Sequence, residues 1–324
     1  MSPPSPSAAP RVVVLVLAYN GVDLTLDCLA SLRDLDYPNY EVLVVDNAST
    51  DDTVAAVRAG FPEVRLIEAG ANLGYAEGNN LGLRAALERG AEAVFLVNND
   101  TVLAPDCVTG LVRAWAAHPQ AGMLGPMVYT WDEGHIIFSA GGVIDWRNAN
   151  ADNVGAGEPD RGAYPARAVD YVNGCGLLVT RAVLEKVGFL DARFFMYWEE
   201  TDWCLRARAA GFESWFEPAA WMRHKAPIHH RDLGPTTLYY VTRNRLLFFA
   251  RHTPPARKPL TLARAVHGAV RGIIWHYQAG RVAHARATQW ALWHALSARW
   301  GRADAQLWQT DRPSASAPSS IRPT

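Results

Sequence analysis

Six consecutive apolar residues, Val12-Val13-Val14-Leu15-Val16-Leu17, restrict the fold more than any other feature of the chain. An amphipathic helix, or a strand with one wet face, needs polar residues at its own period. A continuous run rich in β-branched side chains instead suits a parallel strand buried on both faces. Helical patterning follows from about Asp23 to Leu35, then a second strand, Val42-Leu43-Val44-Val45. Ser49 or Thr50 is placed to cap the next helix, with Asp51 and Asp52 in its first turn. A short strand over 64–67 leads to Asn72-Leu73-Gly74-Tyr75, which opens a helix that Gly90 ends. The fourth strand, Ala93-Val94-Phe95-Leu96-Val97, runs directly into Asn98-Asn99-Asp100. This order predicts an α/β, doubly wound sheet whose ligands bind at the carboxyl ends of its strands. A carboxylate and amides at such a tip are costly to core packing but suit a hard cation and a diphosphate.

Length and charge add limits. With 324 residues and 49% hydrophobic content, the chain can bury a sizeable core, read as one catalytic domain plus an appendage. The net charge of −1 conceals an asymmetry: residues 1–232 carry 18 Lys/Arg against 30 Asp/Glu, whereas 233–303 carry 11 Lys/Arg and no acid. The split predicts an acidic body and a basic segment that meets an anionic partner, with no nucleic acid expected. Cys28, Cys107, Cys175 and Cys204 form no C-x-x-C pair, which argues against a zinc site or disulfide framework and for a reducing, cytoplasmic setting. No apolar stretch reaches about 18 residues, so a soluble or peripheral protein is expected. Met1–Pro10 lacks the charged start and apolar core of a secretory signal; it and residues 304–324 are read as disordered. Ala18-Tyr19-Asn20-Gly21 stands where a dinucleotide fold would carry G-x-G-x-x-G, and a Walker loop is absent.

The motifs Leu17-Ala18-Tyr19-Asn20, Val45-Asp46-Asn47-Ala48-Ser49-Thr50-Asp51, Asn72-Leu73-Gly74-Tyr75-Ala76-Glu77-Gly78-Asn79-Asn80 and Asn98-Asn99-Asp100 occur in that order. They resemble the successive donor-site motifs of family 2 glycosyltransferases. Asn173-Gly174-Cys175-Gly176, Gly188-Phe189-Leu190-Asp191, the run from Phe195 through Glu199-Glu200-Thr201-Asp202 to Arg206, and His224 continue the order. The resemblance covers roughly residues 11 to 250. It is strongest to the non-processive, rhamnosyltransferase-like members that build bacterial polysaccharides. It implies a GT-A fold, with a mixed, mainly parallel sheet flanked by helices, and an inverting mechanism. The catalytic domain would span 11–232, its nucleotide-sugar half about 11–100 and its acceptor half about 101–232. A basic, amphipathic helical segment would follow over 233–303.

On the donor side the resemblance makes Asp46 the reader of a uracil or thymine imide, so that a dTDP-sugar and a UDP-sugar fit equally. A helix-capping role is the structural alternative. Ala18, Tyr19 and Asn20 would line the same site. Asn72 and Gly74, with Asn79 behind them, lie where backbone N–H groups suit a diphosphate or sugar. Asp100 occupies the acid position of a D-x-D metal motif; Asn98 replaces the first acid, and Asn99 lies between. Mg2+ or Mn2+ is implied, held by Asp100 and by His224, which its spacing after Arg206 separates from His229 and His230. A divalent cation neutralises a departing nucleoside diphosphate without proton transfer.

On the acceptor side, an inverting displacement needs a base opposite the leaving group. The family pattern puts it at Glu200, with Glu199 as runner-up. Asp202 would orient the acceptor or cap a helix Trp203–Ala210 that Gly211 ends. Asn173 and Gly174 are read as lining the acceptor or donor-sugar pocket. Phe194 to Trp198 forms either a sugar-stacking wall or core. Cys175 lacks an activating partner for nucleophilic work.

In the C-terminal segment, Tyr239 to Phe249 resembles the helix after the catalytic domain, and Pro254-Pro255 breaks it. Val266, Val270, Ile273 and Tyr277 then share one helical face, with Arg264, His267 and Arg271 on another. Basic charge with Trp275, Trp290, Trp293 and Trp300 suits a helix lying on an anionic membrane, here through 259–303 on the inner face. That would fit a glycan or lipid-linked glycan acceptor; a helical packing layer or homodimer interface is the alternative. Leu296-Ser297-Ala298-Arg299-Trp300 lacks the Gln of the processive Q-x-x-R-W motif, which favours transfer of a single sugar. Two other classes remain. A sugar-1-phosphate nucleotidyltransferase should show a Gly-rich, basic loop after strand one, and a carbohydrate-binding scaffold would need no base.

Overall fold

The computed structural model describes residues 9–131, 134–225 and 233–308. The first half alternates as expected: β1 (Val12–Ala18), α1 (Val22–Arg33), β2 (Tyr40–Asp46), α2 (Thr53–Gly60), β3 (Arg65–Glu68), α3 (Gly74–Glu88) and β4 (Ala93–Asn98). β1 lies between β2 and β4 and pairs with both in parallel. Its side chains alternate between two cores. Val13 and Leu15 pack with Ala76 and Leu83 of α3, while Val12, Val14 and Val16 pack with Cys28 and Leu29 of α1. No face is left for a polar residue, which accounts for the unbroken apolar run.

Beyond β4 the sheet becomes mixed. β5 (Thr101–Leu103), α4 (Cys107–Ala117), β6 (Ala121–Thr130), β7 (Ile137–Ser139), the hairpin β8 (Gly142–Asp145) and β9 (Asn150–Asn153), and β10 (Arg167–Val169) come first. β11 (Gly176–Thr180), α5 (Arg181–Val187), α6 (Glu199–Ala209) and β12 (Glu213–His224) follow. Among the described residues the ten-stranded sheet has the main order β10-β12-β6-β11-β4-β1-β2-β3. β11 enters antiparallel between β4 and β6, so its N-terminal end lies beside the tip of β4. β5 leaves that tip to pair antiparallel with the end of β12. Both connections deliver side chains to one rim.

The helices α7 (Pro235–His252), α8 (Lys258–Gln278) and α9 (Val282–Leu296) complete the chain. They pack closely on the sheet domain. Leu246 to Phe249 of α7 and Ala265 of α8 share a core cluster with Leu15 of β1 and Trp203 of α6. The buried stripe of α8 also differs from expectation: Thr261, Ala265 and Ala269 are inside, whereas Val270 and Tyr277 are exposed. Small side chains at this spacing let the helix approach its neighbours, which the larger Val and Tyr would prevent.

Residues 9–10 and 304–308, expected to be disordered, make specific contacts. Trp308 is buried; its indole stacks on Tyr239 at 4.5 Å and donates to Thr236 Oγ1. Ala9 and Pro10 accept hydrogen bonds from Asn39 and Tyr37. Two helix starts are corrected as well. α2 begins at Thr53, after both aspartates, because Asp51 is drawn into a loop contact: it accepts from Thr53 N–H and Oγ1 and from Gly21 N–H. α6 begins at Glu199 rather than Trp203, placing Asp202 inside its first turn.

Candidate active site

The donor-side rim is a set of loops tied by side chains. Asn20, at φ 58°, donates its N–H to Ser49 Oγ at 2.8 Å and accepts from Thr50 N–H at 2.8 Å. Ser49 and Thr50 therefore brace the β1 loop instead of capping α2. Asn99 donates to Asn20 O at 3.0 Å and Thr25 Oγ1 at 2.9 Å, a bracing role that leaves Asn98 and Asp100 at the edge. Asp46 is 2% exposed and accepts from Ser49 N–H at 3.1 and 3.3 Å. These are long bonds, and a carboxylate has about four lone-pair sites. Tyr19 is exposed, while Ala18 is buried and offers its carbonyl to Asn47 N–H.

The Asn72–Gly74 turn departs from expectation. Leu73 N–H is bonded by Asn47 Oδ1 at 2.8 Å, and Gly74 N–H by Asn72 Oδ1 at 2.9 Å. Those donors are occupied, so the turn is stabilised by side chains rather than left open for an anion. Gly74 is required there: its φ is 76°, and a Cβ would lie 2.5 Å from Phe195 O. Asn79 is buried within α3 and donates back to Tyr75 O; it does not reach the cleft surface.

Asp100 and His224 meet through the β5–β12 pairing, in which His224 sits opposite Thr101. His224 Nε2 lies 3.1 Å from Asp100 Oδ1. Even so, Asp100 Oδ1 and His224 Nδ1 are buried without a hydrogen-bond partner among the described residues. The converging pair, Asp100 Oδ1 and His224 Nε2, offers a carboxylate oxygen and an imidazole nitrogen, both suitable ligands for a small divalent cation. Among the described residues no group of three or more His, Cys, Asp or Glu side chains forms a cation cage. Further ligands would have to come from water or a bound diphosphate. Burial opposes charge on Asp100, but His224 and Lys225 outweigh it and lower its pKa. His229 and His230 lie outside the described residues.

The acids enter at the first turn of α6. Asn173 Oδ1 accepts from Cys175 N–H at 3.0 Å, and Tyr75 Oη donates to Gly174 O. A Cβ on Gly174 would sit 2.9 Å from Tyr75 Oη and 3.5 Å from Glu200 Cγ. Asn173, Gly174, Tyr75 and Glu200 therefore form one wall. Burial pushes the Glu200 carboxyl up from its ordinary value. Glu199 is pushed up further, by burial and then by Glu200 and Asp202, and its Oε2 has no partner among the described residues. Glu200 is half-buried and Glu199 only 3% exposed, so Glu200 is the more accessible acid. The aromatic run is mostly core: Phe194 and Trp198 are buried, Phe195 stacks on Tyr240, and only Tyr197 is exposed. All four cysteines are free and buried.

Residues of α7 hold this turn in place, a role the sequence reading missed. Phe195, Tyr197 and Trp198 all have left-handed φ, at 66°, 68° and 76°. Asn244, fully buried, donates to Phe194 O at 2.8 Å, Met196 O at 2.8 Å and Tyr197 O at 2.9 Å. Arg243, 1% exposed, bonds Phe194 O at 3.0 Å and Gly301 O at 2.7 Å. Asp202 is neither a cap nor open to an acceptor. It is wholly buried and bonded by Arg206 (2.7 Å), Arg251 (2.6 Å) and His252 (2.8 Å). Arg251 also reaches Asp191 at 2.8 Å.

This ion network predicts acid sensitivity. Burial raises Asp191, but Arg193 and Arg251 outweigh it and hold the carboxyl at about 2. Asp202 is likewise lowered: burial opposes, and His252, Arg206 and Arg251 prevail. A lowered folded-state pKa stabilises above the unfolded value, and that stability is lost as pH falls through the folded one. Urea midpoints should therefore drop between about pH 4 and pH 2, and Arg251→Met should reduce that dependence. An identical pH slope in the variant would exclude this network as the cause.

The sheet, its rim and the acid-bearing helix define a glycosyltransferase of the GT-A type. The chain belongs to glycosyl transferase family 2. The family model described as Glycosyl transferase family 2 matches residues 13–156, and that of Glycosyl transferase family group 2 matches 93–239. The N-acetylglucosaminyl-diphospho-decaprenol L-rhamnosyltransferase of Mycobacterium tuberculosis (strain ATCC 25618 / H37Rv) is 31% identical over 252 residues, 72% of this chain and 82% of that protein. The dTDP-rhamnosyl transferase RfbF of Shigella flexneri is 26% identical over 260 residues, 76% of this chain and 82% of that protein. In fold, the mannosyltransferase PcManGT from Pyrobaculum calidifontis, solved with GDP-Man and Mn2+, has a TM-score of 0.56 at 20% identity. That match covers 92% of this chain and 90% of the other. GalNAc-T7, solved with UDP, GalNAc and Mn2+, gives 0.57 at 12% identity over 74% of this chain and 48% of its own.

Proposed function

We propose that this glycosyltransferase moves a single rhamnose from a dTDP- or UDP-linked donor to a hydroxyl of a lipid-linked glycan, with inversion at the anomeric carbon. The observation that carries this reading is the convergence of Asp100 with His224 at one part of the rim and of Glu200 with Gly174 and Tyr75 at another. The names of the mycobacterial and Shigella relatives support rhamnose, dTDP and a diphospholipid acceptor.

Glu200 takes the proton of the acceptor hydroxyl as its oxygen attacks the anomeric carbon, and the bond from that carbon to the diphosphate oxygen breaks. The base and the leaving group lie on opposite faces of the sugar, so configuration inverts. Oxocarbenium character develops between them, as in other glycosyl substitutions. Asp46 accepts the imide N–H of the pyrimidine. Asp100 and His224 would hold Mg2+ or Mn2+, which would supply charge neutralisation for the departing diphosphate. Among the described residues no helix is long and apolar enough to cross a membrane. Exposed Leu260, Ile274 and Trp275 on α8 support a peripheral position on the inner face of the membrane.

A thermal-shift panel tests the donor assignment. The protein is heated with dTDP-rhamnose, UDP-sugars, GDP-mannose or nicotinamide dinucleotides, each with and without Mn2+ or Mg2+. A ligand at 100 times its Kd adds about 2.7 kcal/mol of apparent stability. The expected result is a metal-dependent rise in Tm with dTDP-rhamnose and none with the dinucleotides. Silence toward every nucleotide sugar would remove the donor reading.

A further inference from the structure

We propose that the outer side of α8 carries a seat for the phosphate of an anionic membrane lipid. It deepens the membrane-side part of the reading above and assumes nothing about the donor. A groove of about 770 Å³ is lined by Asn148 at the turn of the β8–β9 hairpin, by Arg245 of α7, and by Arg264, His267, Arg271 and Trp275 of α8. Positions 264, 267, 271 and 275 are spaced i, i+3, i+7 and i+11, so they form one helical face. No acid is among the lining residues.

The arginines are positioned without being used up. Arg245 donates Nε to Ala149 O and a terminal nitrogen to Asn148 O at 3.0 Å, and Arg264 reaches Arg147 O at 2.8 Å. A guanidinium has five N–H donors, so each keeps several for an anion. Of the nearby hairpin acids, Asp145 accepts from Arg147 and Asn148 N–H, and Asp152 accepts from Asn150 while its charge also acts on Arg245. Gly268 and Gly272 keep the floor low. A Cβ at Gly272 would meet nothing within 4 Å, and one at Gly268 would lie 3.8 Å from a terminal nitrogen of Arg245.

The side chains around the groove favour a lipid as the source of the phosphate. Leu260, Val270, Ile274 and Trp275 are 57%, 42%, 51% and 51% exposed. A soluble anion would engage the arginines and leave these four in water. A lipid headgroup satisfies both: its phosphate enters the groove, and the apolar side chains enter the interfacial layer.

The test is co-flotation of the full-length protein with vesicles of phosphatidylcholine, alone or mixed with phosphatidylglycerol. Binding is expected to the mixed vesicles only. Each arginine near an anionic surface contributes enough that Arg264→Ala/Arg271→Ala together should weaken binding about 30-fold. Gly272→Glu keeps every arginine, improves helix propensity and adds an acid to the open floor, so it too should release the protein. The dTDP-rhamnose thermal shift should be unchanged in both variants, which separates this proposal from the donor assignment. No flotation with mixed vesicles, or equal flotation of wild type and both variants, would overturn it. So would an arginine-dependent Tm rise with inorganic phosphate or diphosphate in the absence of vesicle binding, because the groove would then serve a soluble anion.

Discussion

Glu200→Gln is expected to lower turnover by about 10²–10⁴-fold while leaving the donor-induced thermal shift intact. Gln keeps the side chain's length and its place beside Gly174, and removes the capacity to take a proton. Only the step that uses the base should suffer. Burial raises the Glu200 carboxyl, which increases its basicity in the direction a general base needs. The sign follows: the base works deprotonated, so kcat/KM should fall as pH drops through that raised value, at a higher pH than an ordinary carboxylate would give. The limb should disappear in Glu200→Gln. Glu199 is more deeply buried, and burial together with the charge of Glu200 pushes its carboxyl up further, so it is the less accessible of the two acids. Glu199→Gln should therefore retain more activity than Glu200→Gln. The reverse order, measured by released nucleoside diphosphate, would transfer the base to Glu199.

The sequence exposed the donor half well, because its signals are local. The apolar run of β1, the tip of β4 and the Gly90 stop each depend on a few adjacent residues, and the structure has elements where they predict them. Pairing between distant strands was not legible in the same way. The antiparallel entry of β11 pairs Gly176 with Val97, and the β5–β12 ladder that brings His224 to Asp100 pairs it with Thr101, so both depend on register between segments far apart in the chain. The start of α6 was misread for a different reason. Its N-cap is Trp198 in a left-handed conformation, without a side-chain cap, so no Ser, Thr, Asp or Asn marked it. Asn47 was read as part of a motif, whereas its side chain bonds Leu73 N–H and Gly74 O and so ties two donor loops together. Arg243 carries no sequence signal for its role: it is buried against backbone carbonyls that only the tertiary fold brings to it.

Asn244→Leu should expose the cost of the acid-bearing turn. The substitution keeps approximate volume and core packing but leaves the carbonyls of Met196 and Tyr197 without their shared donor, while Phe194 O keeps Arg243. Each buried unsatisfied carbonyl costs about 1–3 kcal/mol, and each left-handed non-glycine residue stores about 1–3 kcal/mol that its surroundings must offset. Asn244 is part of what offsets it for Phe195, Tyr197 and Trp198. Without it the turn should relax, shifting the first turn of α6 and Glu200 with it. A displacement of about 1 Å at a reacting group can cost 10²-fold in rate. A drop in Tm alone would not distinguish this from ordinary destabilisation, so Val57→Ala in α2 provides the comparison, since Val57 is buried in the other core cluster. Both variants should melt earlier, but well below either Tm only Asn244→Leu should lose kcat, with its donor-induced shift retained. If kcat per folded molecule is equal in the two, α7 contributes packing and nothing to the placement of the base.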